Sequence, residues 1–265
     1  MNLQSLLEET VKVSREAGEF IRQERLIFDL DRVERKGLND MVSYVDKKAE
    51  EMIVKKLHEL LPEAGFITEE GTATTRGDTF HWIIDPLDGT TNFIHGLPPY
   101  SVSIGLQKNQ EIILGVVYEV SLNECFYARK GGGAFCNEKA IKVSKALDLA
   151  SSLLATGFPY NSLGKTDDYL EVLKSIMEST HGFRRLGSAA VDLCYVAAGR
   201  VDGYYQHNLN PYDVAGGVII VMEAGGSVTD FNSGSDFLFG GEIVATNGFI
   251  HDSLLQKVKI LTDRL

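Results

Sequence analysis

Residues 82 to 93, Trp-Ile-Ile-Asp-Pro-Leu-Asp-Gly-Thr-Thr-Asn-Phe, constrain this chain more than any other stretch. An apolar, β-forming run ends in Asp85, and Pro86, which has no N–H to donate, predicts that the strand does not simply continue. Asp88 follows, then Gly89 and two threonines, so a strand delivers two carboxylates into one tight turn. Carboxylates are hard oxygen ligands suited to Mg²⁺, and backbone N–H groups at a helix start suit a phosphate. The same residues are also good turn chemistry, with Pro setting φ and Gly relaxing the backbone. Taken alone, Asp-x-x-Asp leaves both readings open.

The rest of the chain narrows the class. Its 265 residues can bury one large core or two small ones, and 44% hydrophobic with 24% charged residues describes a globular protein. The net charge of −11 argues against direct nucleic-acid binding, which depends on Lys and Arg. It does not argue against a phosphorylated small substrate, because a bound cation inverts the local field. Three cysteines, Cys125, Cys136 and Cys194, without a C-x-x-C pair suggest neither a disulfide framework nor a zinc site. The first residues lack the basic and apolar regions of a signal peptide, and no apolar stretch is long enough for a membrane span. A cytoplasmic protein with no membrane partner is expected.

Periodicity predicts helices over 3–25 and from Ser43 to Pro62, then a meander of strands over 101–106, 111–120 and 124–129. The triple glycine at 131–133 has no Lys or helix start after it and reads as a turn. Beyond it, strands over 153–156, 183–186, 201–206 and 243–246 alternate with helices over 168–179, 189–198, 213–224 and from 252. Residues 65–67 resemble a short strand end. No repeat or linker interrupts the chain, so 1–265 reads as a single α+β domain with layers of both kinds. The patterns do not order those layers.

Further acids stand where they could join the first pair. Glu69-Glu70 follows the 65–67 run and by itself reads as a solvated loop pair. Asp213, in Pro-Tyr-Asp-Val-Ala-Gly, reads as a helix N-cap, and Asp46 as a first-turn acid favoured by the helix dipole. The six histidines, at 58, 81, 95, 181, 207 and 251, show no metal-ligand spacing.

Three separated motifs change that picture: Asp40-Met41-Val42-Ser43-x-x-Asp46, Glu69-Glu70 with the Asp85 string, and Tyr212-Asp213-Val214-Ala215-Gly216. Together, from Lys36 through Asn247, they resemble the inositol monophosphatase family. The resemblance implies a layered αβαβα sandwich and a Mg²⁺-dependent, lithium-sensitive phosphomonoesterase acting on inositol 1-phosphate or a similar small polyol phosphate. It implies that Glu69, Asp85, Asp88 and Asp213, with the Leu87 carbonyl, ligate two or three Mg²⁺ ions. Thr90 and Asp46 would activate the attacking water, with Glu70 a further catalytic residue behind the ligands. Gly89 and Thr90 N–H groups would hold the phosphate, and Ser188 and Ala189 match the substrate-facing turn. A homodimer is also implied.

Two positions depart from the family pattern. Tyr212 stands where the family usually has Trp, keeping a large aromatic beside Asp213. Gln206 stands where Glu commonly reaches a ring hydroxyl, which bears on substrate preference alone. Fructose-1,6-bisphosphatases and 3′-phosphoadenosine-5′-phosphate phosphatases share the Asp-Pro-x-Asp-Gly-Thr core and form the alternative. A non-catalytic regulatory protein on the same fold has no physical reason to keep every carboxylate and Thr90 together.

Overall fold

A computed structural model describes residues 2–28, 33–35, 41–73, 75, 77–158 and 166–261. Lys36, where the resemblance begins, and Asp40 of the first motif lie outside these. Helix α1 (Leu3–Leu26) starts at Asn2, whose side chain accepts from the Gln4 and Ser5 N–H groups at 3.0 and 3.3 Å. Strands β1 (Val33–Arg35) and β2 (Met41–Ser43) form an antiparallel pair that leads into α2 (Tyr44–Leu60).

A seven-stranded sheet follows, built in sequence order from β3 (Gly65–Thr68), β4 (Phe80–Asp88), β5 (Ser101–Lys108), β6 (Glu111–Glu119), β7 (Glu124–Arg129), β8 (Ala134–Cys136) and β9 (Lys139–Ala140). Only β3–β4 is parallel among its pairs. The short helix α3 (Thr90–His95) sits between β4 and β5. A second, five-stranded sheet uses β10 (Leu153–Thr156), β11 (Gly182–Arg184), β12 (Gly203–His207), β13 (Ser227–Thr229) and β14 (Glu242–Thr246) in the order β11-β10-β12-β14-β13. Its helices are α4 (Thr166–Met177), α5 (Ala189–Ala197), α6 (Pro211–Glu223) and α7 (His251–Val258).

The layers follow from which faces are apolar. α1 and α2 cover one face of the seven-stranded sheet, α5 and α6 lie between the two sheets, and α4 and α7 cover the outer face of the five-stranded sheet. This is an αβαβα sandwich, the α+β architecture expected. α5 is buried almost throughout, and α6 is buried from Val214 to Val221, because they meet a sheet on each side. Three clusters of apolar side chains fill the interfaces, one under α1 and α2, one around α5 and α6, and one under α4 and α7.

Gly105 and Gly115 face each other across β5 and β6. A Cβ at Gly105 would lie 2.8 and 2.9 Å from the Ala215 Cβ and carbonyl carbon. The missing side chains let α6 lie directly on the sheet.

Three local expectations are corrected. Strand β4 does not end at Asp85: it runs to Asp88, and a register shift between Asp85 and Asp88 absorbs Pro86. Helix α6 begins at Pro211, a residue preorganised for a first helical position, so the N-cap is Asn210 and Asp213 is the third residue of the first turn, completing a capping box with it. The short strands β8, β9 and β13 were not foreseen.

Candidate active site

The bulge in β4 is what turns Asp85 and Asp88 toward one region. Gly89 then takes φ 96°, a left-handed conformation that suits glycine, and opens α3 with Thr90 as its first residue. Asn92 fastens the turn by donating from Nδ2 to the Pro99 and Leu186 carbonyls, each at 2.8 Å. That brings the 186–190 turn beside Asp88. Asp88 Oδ2 accepts from Ser188 Oγ at 2.6 Å and from the Ala190 N–H at 2.7 Å. The Ser188 hydroxyl, matched from sequence to a substrate-facing turn, is thus committed to Asp88.

Thr90 links this turn to α2. Its Oγ1 shares one proton between Asp46 Oδ1 at 2.9 Å and the Leu87 carbonyl at 3.0 Å. Asp46 is fixed from the other side, because Oδ2 accepts from the Ser43 N–H at 2.9 Å and from Ser43 Oγ at 2.7 Å. This is a capping box, so the helix-terminus role and the contact to Thr90 coexist in one carboxylate. Burial raises the Asp46 pKa, against the hydrogen bonds from Ser43 and Thr90.

Asp85 is buried, with Oδ1 accepting the Leu87 N–H at 3.0 Å. Glu69, Asp88 and Asp213 are half-buried, their carboxyl groups still largely enclosed by protein. Burial, then repulsion from Glu69, Asp88 and Asp213, pushes Asp85 well above the usual carboxylate range. Glu69 is pushed well above it by burial, with Asp213, Asp46 and Glu70 adding repulsion. Burial lifts Asp88 to about 6, against the hydrogen bonds from Ser188 and Ala190. Burial and Asp88 together lift Asp213 to about 7, while its Oδ2 accepts the Asn210 N–H at 2.6 Å.

Among the described residues, no three acidic, His or Cys side chains already stand in a geometry that chelates one ion. Hydrogen bonds within the loops hold one oxygen each of Asp85, Asp88 and Asp213. The donor chemistry nevertheless fits a hard divalent cation: every candidate ligand is an oxygen, the carboxylates destabilise one another, and Glu69 Oε2 is buried without a hydrogen-bond partner.

Glu50 was missed. It lies one turn after Asp46 on the same side of α2, is fully buried, and accepts from the Glu70 N–H, the Thr72 N–H and Thr72 Oγ1, each at 2.8 Å. It therefore pins the loop that presents Glu69 and Glu70. The helical i, i+4 spacing was the available signal, but its partner loop is over 20 residues away. Asp192 was also missed. It is buried in α5 and, with Asp88, Ser188, Ala189, Gln206 and Asp213, lines a cleft of about 130 Å³. A larger groove, about 590 Å³ along residues 109–112 and 235–239, shares no lining residue with this cleft.

A sandwich of this layering, with a bulged Asp-Pro-Leu-Asp-Gly-Thr turn against buried carboxylates, defines a class. The inositol monophosphatase family model matches residues 2–263. The chain is 40% identical over 256 residues to an inositol-1-monophosphatase of Mesorhizobium japonicum, covering 96% of each. It is 40% identical over 255 residues to the Nus factor SuhB of Pasteurella multocida, again covering 96% of each. The solved structure of the extragenic suppressor protein SuhB from Bartonella henselae superposes with a TM-score of 0.91 at 38% identity, covering 96% of this chain and 98% of that one. The chain belongs to the inositol monophosphatase family. Family and relatives indicate a phosphatase acting on a phosphorylated small molecule, in a family that is generally metal-dependent. Among the described residues, no helix is long and apolar enough to cross a membrane.

Proposed function

We propose that the chain is a Mg²⁺-dependent phosphomonoesterase that releases phosphate from inositol 1-phosphate or a similar small polyol phosphate. The observation that carries this is the Asp46–Thr90–Leu87 hydrogen-bond chain standing beside the buried Asp85 and the half-buried Glu69, Asp88 and Asp213. Phosphate monoester hydrolysis is among the slowest uncatalysed reactions, and one general base contributes only about 10²–10⁴-fold.

Glu69, Asp85, Asp88, Asp213 and the Leu87 carbonyl would hold two or three Mg²⁺ ions. Bound Mg²⁺ supplies Lewis acidity, which neutralises phosphoryl charge, acidifies a water and stabilises the departing alkoxide. The chain's own part is proton handling and positioning. Thr90 Oγ1 would accept the proton of the attacking water while passing its own to Asp46 Oδ1, which Ser43 holds in place. The N–H groups of Gly89 and Thr90 would seat the phosphate, and Ala189 and Gln206 would face the alcohol half. Glu70 would support the ligands from a loop that Glu50 pins. As in the family it resembles, a lithium-sensitive, cytoplasmic homodimer is expected.

Some relatives are named Nus factors. The complete set of carboxylates together with Thr90 favours catalysis over a purely regulatory role. A phosphate-release screen with Mg²⁺ would test the reading, using inositol 1-phosphate, fructose 1,6-bisphosphate, 3′-phosphoadenosine 5′-phosphate and 2′-AMP. Inositol 1-phosphate should be turned over best. Preference for either bisphosphate would move the chain to a sister activity.

A further inference from the structure

Position 206 is where the family's pattern commonly offers a carboxylate, and this chain has Gln. The structure shows what the amide does. Tyr204 Oη donates to Gln206 Oε1 at 2.7 Å, so the amide's acceptor is engaged and its NH₂ is what it can offer the cleft. Tyr204 is itself fully buried, and it shares the α5-facing side of β12 with Gln206 two residues on. A substrate hydroxyl arriving here finds a donor, and it still needs an acceptor for its own proton.

The same cleft contains one. Asp192 is 1% exposed, lies on α5 against β12, and lines the cleft with Gln206 and Asp88. Its Oδ1 is buried and has no hydrogen-bond partner. A buried carboxylate oxygen without a donor is costly, and protein interiors rarely leave one so unless a ligand or water completes it. Nothing in the Asp46–Thr90 chain or in the hydrogen bonds of Asp88 uses Asp192. Arg185 lines the cleft too, and its charge acts on Asp88 and Asp192.

We propose that Asp192 is a specificity-determining residue, accepting a hydrogen bond from a hydroxyl on the alcohol half of the substrate while the Gln206 amide donates to that hydroxyl's oxygen. This rests on the phosphatase reading and refines it: the substrate is a polyhydroxylated phosphate monoester. The acceptor lost at position 206 is supplied from α5.

The test compares kcat/KM of wild type and Asp192→Asn on inositol 1-phosphate, on deoxy-inositol 1-phosphates lacking one hydroxyl each, and on phenyl phosphate, which has none. Asn keeps the shape and removes the charged acceptor. The variant should lose about 5- to 30-fold on inositol 1-phosphate, as expected for a charge-assisted hydrogen bond reduced to a neutral one, and less than twofold on phenyl phosphate. One deoxy substrate should show at least that loss with wild type, because it gives up the Gln206 contact as well, and on that substrate Asp192→Asn should cost nothing more. Circular dichroism on Asp192→Asn separates a folding defect from lost recognition, and the wild-type series of deoxy substrates needs no variant.

Equal loss on inositol 1-phosphate and phenyl phosphate would place Asp192 with the phosphate half and overturn the proposal. No loss on either substrate, or no deoxy substrate with at least that loss, would overturn it as well. Wild type inert on every phosphate monoester would overturn the phosphatase reading and this proposal with it. Wild type active with an unmoved ratio overturns the role of Asp192 alone.

Discussion

The single hydroxyl proton of Thr90 bridges Asp46 and the Leu87 carbonyl, and the proposed water activation would run through it. Thr90→Ala keeps the backbone N–H and removes only the hydroxyl, so kcat should fall about 10²- to 10⁴-fold with KM little changed. Steady-state kinetics would show this, and an unchanged kcat would assign water activation elsewhere. At Gln206 the expectation is a change of preference. Glu there removes the amide donor that Gln206 offers the cleft while Tyr204 holds its Oε1, and places a second carboxylate beside Asp192. Gln206→Glu should therefore lower kcat/KM on inositol 1-phosphate about 5- to 30-fold relative to glycerol 2-phosphate. An unmoved ratio would mean that Gln206 does not face substrate. The acids at 46, 69, 85, 88 and 213 were legible as candidates because they sit in compact motifs. Glu50 and Asp192 were not, because what gives them meaning, the 70–72 loop for one and the cleft wall of β12 for the other, is brought to them only by folding.

At the level of elements, the site depends on how closely α6 approaches the seven-stranded sheet. Asp213 stands two residues before Ala215, the very residue a Cβ at Gly105 would strike. Gly105→Ala should push α6 outward, costing about 1–3 kcal/mol in overpacking and displacing Asp213 from the other acids. A denaturation series and a Mg²⁺ titration of activity on the same variant should both move. Lost stability with an unaltered Mg²⁺ requirement would separate α6 seating from the metal site. The long helices and the meander strands were readable from periodicity, because each buries one face over many residues. The strand through Pro86 was not, since a bulge hides the proline from any pattern of alternation. Nor were the two- and three-residue strands β8, β9 and β13, which carry too few side chains to show a period. The layer order escaped for a related reason: facing glycines at 105 and 115 mean nothing until β5 and β6 are paired.

For the whole molecule, the buried acids link stability to pH and to cations. Asp88 and Asp213 titrate at about 6 and about 7 in the folded chain, against 3.8 for an unperturbed Asp. Folded-state pKa values above the unfolded ones mean the metal-free fold binds extra protons, so these groups favour the fold at low pH. That contribution is lost as pH rises from about 4 through about 7. Mg²⁺ held by these carboxylates would take the place of those protons, so the rise in Tm on adding Mg²⁺ should grow between pH 5.5 and pH 8. At a concentration 100 times Kd the gain is about 2.7 kcal/mol. Thermal melts across that range would check it, and a gain that shrinks with pH would place the cation away from these carboxylates. The central claim is that this acid cluster makes the chain a metal-dependent phosphatase, and it is tested most directly by phosphate release from inositol 1-phosphate. Wild type and Asp88→Asn would each be assayed in Mg²⁺ and in excess chelator, with circular dichroism confirming that both are folded. Wild type should turn over in Mg²⁺ alone and folded Asp88→Asn not at all, whereas full turnover in chelator or by the variant would place the activity outside this acid cluster.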